Sequence, residues 1–209
     1  MFLISAAVAA GEVTDLAFAL AGSGVPEDYA DPLWQALSAA LPWFAADDAA
    51  GVHPLARISS PTQGQCYLSK HTRLTLRLPA DKVEAARALC GMRLDLGAAL
   101  EVGAARPRPL VAAKVVYSPF VAVGLADETA FLAECRRQMA ELGIEAQLVV
   151  GKAQAMQAEG STVQGFSLML HGLRAEDSLR LQCTGLGVQR KRGCGIFVQH
   201  KSVAPVGGD

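Results

Sequence analysis

The first 56 residues contain no lysine or arginine. Charged residues make up only 19% of the 209-residue chain and aromatics 6%, against 51% hydrophobic content. Such sparse charge excludes a disordered, self-repelling polyelectrolyte, and the apolar content is enough for one sizeable core or two small ones. No apolar run approaches the roughly 20 residues that span a bilayer, which argues against a membrane helix. The apolar start, Phe2 to Ala10, has no basic residue before it and reaches Glu12 quickly, unlike a signal peptide. The five cysteines (Cys66, Cys90, Cys135, Cys183 and Cys194) form no CxxC pair. Their odd number suits reduced thiols in a cytoplasm better than a disulfide framework. HExxH, HxxxH and closely spaced acidic clusters are absent, so no metal or other cofactor is expected. Cys183, Cys194 and His200 are a scattered set, and such sets are seldom zinc sites.

The formal net charge of -1 conceals an asymmetry. Seven of the 20 acids (Glu12, Asp15, Glu27, Asp28, Asp31, Asp47 and Asp48) precede the first base, Arg57. The rest of the chain therefore holds all 19 bases against 13 acids. A polyanion site is expected to be local and to lie after residue 56.

Periodicity divides the chain into two similar halves. Val13 to Leu20 reads as a strand, and Asp31-Pro32 opens a helix carrying Leu33, Leu37 and Leu41, which Pro42 ends. Gly51 to Ile58 and Arg73 to Leu78 read as strands, Asp81 to Cys90 as a helix, and Arg93 to Val102 as a fourth strand. Arg106-Pro-Arg-Pro109 reads as a connector. Val111 to Val123 is then a strand, Asp127 caps a helix ended by Gly143, and Glu145 to Val150 and Gln164 to Leu170 are strands. Arg174 to Cys183 is a helix, and Gly195 to Val203 a last strand. Each half has the order βαββαβ, and equivalent elements recur at offsets of 94 to 96 residues. The order is that of a ferredoxin-like unit, an α+β fold in which two helices cover one face of an antiparallel sheet. The expected domains are residues 1–105 and 110–209.

Gly185-Leu-Gly-Val-Gln-Arg-Lys-Arg-Gly-Cys-Gly195 places four glycines and three consecutive bases between a helix and a strand. Glycine tolerates positive φ and lets a polymer approach the main chain, where successive amides form an anion-binding nest. Arg190, Lys191 and Arg192 add the charge that phosphate seeks. With Gly185, Gly187, Gly193 and Gly195 they are the expected RNA-binding set. Arg73 and Arg77 share one face of a strand by period-two alternation, with Lys70, Arg106 and Arg108 near them in sequence. Aromatics are too scattered for a stacking platform, so binding is expected to rest on shape and phosphate.

Several stretches resemble the CRISPR repeat-RNA endoribonucleases of the Cas-six family, tandem ferredoxin-like proteins of the RAMP superfamily. They are Leu41-Pro-Trp43, Gly51-Val-His-Pro54, Arg73-Leu-Thr-Leu-Arg-Leu-Pro79, Gly165-Phe-Ser-Leu-Met-Leu170 and Gly193-Cys-Gly-Ile-Phe-Val198 running on to His200-Lys-Ser202. The likeness spans nearly the whole chain and is nearest the Myxococcus-subtype branch, with the glycine loop its most specific mark. It implies cleavage of CRISPR precursor RNA within each repeat, giving guide RNAs that stay bound or pass to other effector-complex subunits.

Cutting RNA without a metal requires a base for the 2′-OH beside the scissile phosphate and an acid for the departing 5′-oxygen, and histidine suits either task. His53, His71, His171 and His200 are the candidates. The resemblance points to His53, just after the first helix, as the base, with His71 second. It also implies Tyr29 and Lys70 as partners, Lys70 stabilising charge on the phosphate. His171 reads as a packing residue, and His200 with Lys201 as a phosphate contact near the loop. Two other readings share the architecture: a non-catalytic RAMP subunit that holds guide RNA, and a tandem ferredoxin-like sensor of a phosphorylated small molecule.

Overall fold

Leu74, Leu76 and Leu78 alternate with Arg73, Thr75 and Arg77 along one strand, and this period of two orients the first half of the molecule. The computed structural model describes residues 12–59 and 64–200. Its elements, in chain order, begin with β1 (Val13–Ala21), β2 (Gly24–Pro26), α1 (Ala30–Ala40), α2 (Pro42–Ala46), β3 (Gly51–Val52) and β4 (Arg57–Ser59). There follow β5 (Gln65–Leu68), β6 (Arg73–Pro79), α3 (Val83–Ala86), β7 (Arg93–Asp95) and β8 (Ala99–Pro109). The second half has β9 (Val115–Val121), α4 (Glu128–Glu141), β10 (Gln147–Ala158), β11 (Ser161–His171), α5 (Ala175–Thr184) and β12 (Val198–Gln199).

One antiparallel sheet, in the order β3-β6-β1-β8-β7, draws only on the first half. Leu16 and Phe18 of β1 and the three leucines of β6 pack with Leu33 and Leu37 of α1, Phe44 of α2 and Leu89 after α3. The helices thus cover one face, leaving Asp15, Ala17, Arg73, Thr75 and Arg77 on the other. The second sheet, β10-β11-β9-β12, packs Val116, Phe166, Leu168 and Leu170 against Phe131, Cys135 and Met139 of α4 and Leu181 of α5. A small separate sheet, β2-β5-β4, also draws only on the first half. The architecture is the tandem ferredoxin-like α+β fold.

The structure departs from the sequence expectation in instructive places. Asp31 does not cap α1, whose N-cap is Tyr29 without a side-chain bond; Asp31 sits in the first turn and is used elsewhere. Gly51 to Ile58 is split between two sheets, β3 pairing with β6 and β4 with β5. Arg93 to Val102 is a hairpin, and the Arg106–Pro109 connector is the end of β8, paired with Thr14 to Ala17. Prolines are accepted there because β7 covers the outer edge of β8 only around residues 99–101, so their missing donors are not needed. Asp127 caps α4 as expected, its Oδ1 accepting from Ala130 N at 2.8 Å. β10 and β11 extend well beyond their predicted ends to a tight turn at Glu159-Gly160.

Candidate active site at the junction of the halves

His53 follows β3 directly, and its backbone N–H donates to Thr75 O at 2.9 Å, which fixes the residue beside β6. Its ring reaches across to β1, where Nε2 lies 3.0 Å from Asp15 Oδ1. Asp15 is also held by Arg77, with Nε to Oδ1 at 2.8 Å and Nη2 to Oδ2 at 3.0 Å. Burial would raise the Asp15 carboxyl, but hydrogen bonds from His53 and Arg77 outweigh it and hold the group at about 2. An ionised carboxylate offers only acceptors, so Nε2 of His53 carries the proton and Nδ1 keeps its lone pair. Burial lowers the His53 ionisation, and Arg77 and Arg190 add to the effect, against the opposing pull of Asp15. The imidazole is therefore neutral near pH 7, with 16% of its side chain exposed.

The second half closes over this cluster. Nη1 of Arg77 donates to Gln182 O at 2.9 Å at the end of α5 and to Phe197 O at 2.7 Å before β12. Arg190 inserts its guanidinium beside them, with Nη2 donating to Cys183 O at 2.6 Å, while Nε and Nη1 are buried without a partner among the described residues. Burial, helped by Arg77, lowers the Arg190 ionisation to about 9. Gly51 and Gly185 make the room: a Cβ on either would lie within 3.0 Å of Arg190 atoms. Gly193 packs against Pro54, so the glycine loop and His53 occupy one place.

The expected RNA-binding residues are placed very differently from one another. Arg77 is 1% exposed, its guanidinium spent on Asp15 and two carbonyls, so it cannot meet a phosphate while the halves are joined. The triplet also turns inward. Arg192 stacks 4.3 Å over the Trp34 ring, donates through Nε to Asp31 and at 3.0 Å to Glu159, and is 5% exposed. The Lys191 ammonium donates to Ala45 O at the end of α2. Left-handed backbone at Gln189 and Gly193 flanks the triplet and directs it against the first half. Gly185, Gly193 and Gly195 are buried, and their amides donate to Leu181 O, Arg190 O and Phe120 O. Gly187 is exposed and its amide donates to Gln138 Oε1 at 2.8 Å. The expected open nest is a closed turn, because the amides of its four glycines are bonded within the protein.

The expected catalytic partners do not gather at His53. Tyr29 is buried, and its hydroxyl accepts from Leu55 N at 2.8 Å, which anchors the chain two residues beyond His53. Lys70 and His71 are exposed in the turn before β6, past its Arg73 end. Arg73 Nη1 donates to Lys70 O at 3.0 Å and folds along that turn. His171 pairs with Val115 and Gln147 in the second sheet, and the His200 ring meets Tyr117 at 5.5 Å. Lys201 lies outside the described residues. Among the described residues no group of histidines, cysteines and acids is arranged to hold a metal ion.

One residue, Asp15, was missed in the sequence, and so was the strand position of Arg106 and Arg108, read there as a connector. Asp15 stands in a strand of apolar residues, an anomaly that signals a paired buried acid. Arg106 and Arg108 are opposite Ala17 and Asp15 in the β1–β8 register, so both exposed arginines share the His53 face of the sheet. Their period-two spacing was the available signal, obscured by the alternating prolines.

The Cas6 Crispr family model matches residues 14–202. This chain belongs to the Cas6 family. It is 38% identical over 191 residues to the CRISPR-associated endonuclease Cas6 of Myxococcus xanthus (strain DK1622), covering 88% of this chain and 80% of that protein. Two solved structures share the Cas6 fold at low identity. A CRISPR associated protein Cas6 matches with a TM-score of 0.65 at 12% identity, over 91% of this chain and 100% of its own. A RAMP protein described as binding different RNA substrates matches with a TM-score of 0.68 at 14% identity, over 90% of this chain and 100% of its own.

Proposed function

We propose that this Cas6 chain is an endoribonuclease that cuts CRISPR precursor RNA within each repeat, His53 serving as general base, and releases guide RNA. The observation that carries the reading is His53, 16% exposed and held where the two halves meet, with Nε2 3.0 Å from Asp15 Oδ1. Nδ1 would take the 2′-OH proton, the 2′-oxygen would attack the adjacent phosphorus, and the 5′-oxygen would leave. The products are a 2′,3′-cyclic phosphate and a 5′-hydroxyl, and no step uses a metal. Arg73, Arg106 and Arg108 lie on the same sheet face and supply the phosphate contacts; Lys70 and His71, beyond the end of β6, meet the flanking RNA. The glycine loop and its triplet support the site by joining the halves around His53. The named relative, an endonuclease, favours this reading over a guide-holding subunit or a small-molecule sensor.

The test is incubation with the repeat RNA of its own locus in EDTA, using wild type, His53→Ala, and RNA with a 2′-deoxy at the scissile nucleotide. Cleavage by wild type alone, and only of the all-ribose RNA, is expected. Activity of His53→Ala would remove His53 from the chemistry, and cleavage of the deoxy RNA would remove the 2′-OH mechanism. Binding without cleavage would leave a guide-holding subunit.

A further inference from the structure

We propose that Asp15 is a positioning residue for RNA cleavage, fixing His53 in the tautomer that leaves Nδ1 free to take the 2′-OH proton. The inference rests on His53 being the base. The geometry constrains the ring at both ends: the backbone N–H of His53 is tied to Thr75 O at 2.9 Å and Nε2 to Asp15 Oδ1 at 3.0 Å. Asp15 is itself oriented, because Arg77 grips both carboxylate oxygens with a two-pronged bond. Arg77 is in turn fixed by Gln182 O and Phe197 O of the second half, so the ring's orientation depends on the halves being docked.

The charge arrangement gives Asp15 a second task. The groups facing His53 are Asp15 on β1, Arg77 on β6 and Arg190 from the glycine loop. When Nδ1 takes the proton, an imidazolium forms beside two guanidinium groups, and among the described residues Asp15 is the anion bonded to it. In the step itself the 2′-O–H bond breaks toward Nδ1, the 2′-O–P bond forms, the P–O5′ bond breaks, and water protonates the departing oxygen, the hydroxide left behind then taking the Nδ1 proton from the imidazolium. The Nε2 proton stays on the ring and remains bonded to Asp15.

The experiment measures single-turnover cleavage of repeat RNA in EDTA from pH 5 to 9 for wild type, Asp15→Asn, His53→Ala and the double variant, with RNA affinity and melting temperature for each. Asp15→Asn should slow cleavage by about 10²- to 10⁴-fold, the range seen when a histidine loses an orienting carboxylate, with affinity within about threefold. Its acid limb should move to lower pH, because the anion favouring the protonated ring is gone. The double variant should be no slower than His53→Ala, since Asp15 acts through the ring. A wild-type rate and pH profile in Asp15→Asn, with His53→Ala inactive, would overturn the role of Asp15 and leave His53 in place. An active His53→Ala would overturn the base itself. Parallel loss of rate, affinity and melting temperature, with further loss in the double variant, would make Asp15 merely structural. Should Asp15→Asn fail to fold, long-range ¹H–¹⁵N spectra of the wild type still decide: a protonated Nε2 and bare Nδ1 on His53 are expected, and the reverse overturns the proposal.

Discussion

Replacing Arg77 with alanine tests the junction most directly. The change removes four hydrogen bonds, two to Asp15 and one each to Gln182 O and Phe197 O. It leaves a largely buried carboxylate with His53 as its remaining partner. In wild type the carboxyl is held at about 2 against an ordinary 3.8, which corresponds to about 2.5 kcal/mol of stability at neutral pH. His53 supplies the larger share of that lowering and stays in place, so the share lost with Arg77 and two carbonyls stripped of a charged donor sum to a destabilisation of about 2–4 kcal/mol. The sign with pH follows from the depressed carboxyl. The Asp15 contribution is complete above the unfolded value near 3.8 and is lost as pH falls through about 2, so the gap between variant and wild type should narrow in acid. Urea unfolding at pH 7 and near pH 2.5 measures both. A difference below about 1 kcal/mol at neutral pH, or one that does not shrink in acid, would refute the reasoning.

Arg190→Met should leave stability unchanged or raise it by about 1–2 kcal/mol at pH 7, because a buried cation with two unmet donors is exchanged for an apolar chain. At pH 7 the guanidinium is charged in both states, so the fold bears the whole burial cost, and thermal melts at that pH measure the gain. Changing Arg73, Arg106 and Arg108 together to glutamine should weaken RNA binding and reduce its log–log salt slope by roughly 2, about 0.7 for each single-stranded phosphate contact, as read by anisotropy titrations at several salt concentrations.

Much of the fold is legible because its cores are written in simple periods. Leu74, Leu76 and Leu78 declare a half-buried strand, and Phe131, Cys135 and Met139 a helix face. The element order was enough to give the tandem ferredoxin-like architecture. What misled was polarity. Arg77 alternates like a solvent-facing residue, yet the exposed side of its sheet is covered by the other half, which no local pattern records. The basic triplet likewise has the composition of a phosphate clamp, and only the left-handed turns around it reveal that it points inward. The absence of bases before Arg57 suggested a polyanion site later in the chain. Its other consequence is complementarity within the molecule, since Asp15 and Asp31 receive Arg77 and Arg192. Asp15 itself was legible only as an oddity, because its partners are 38 and 62 residues away.

The polarity of the junction also bears on the ancestry of a repeated chain. Two equal copies of one unit meeting about a twofold axis would present the same groups to each other. Here the first half offers the carboxylate of Asp31, while the loop of the second offers the guanidinium of Arg192. At that contact, two first halves facing each other would set Asp31 against Asp31, and two second halves Arg192 against Arg192. The contact has become directional, so assembly requires one half of each kind.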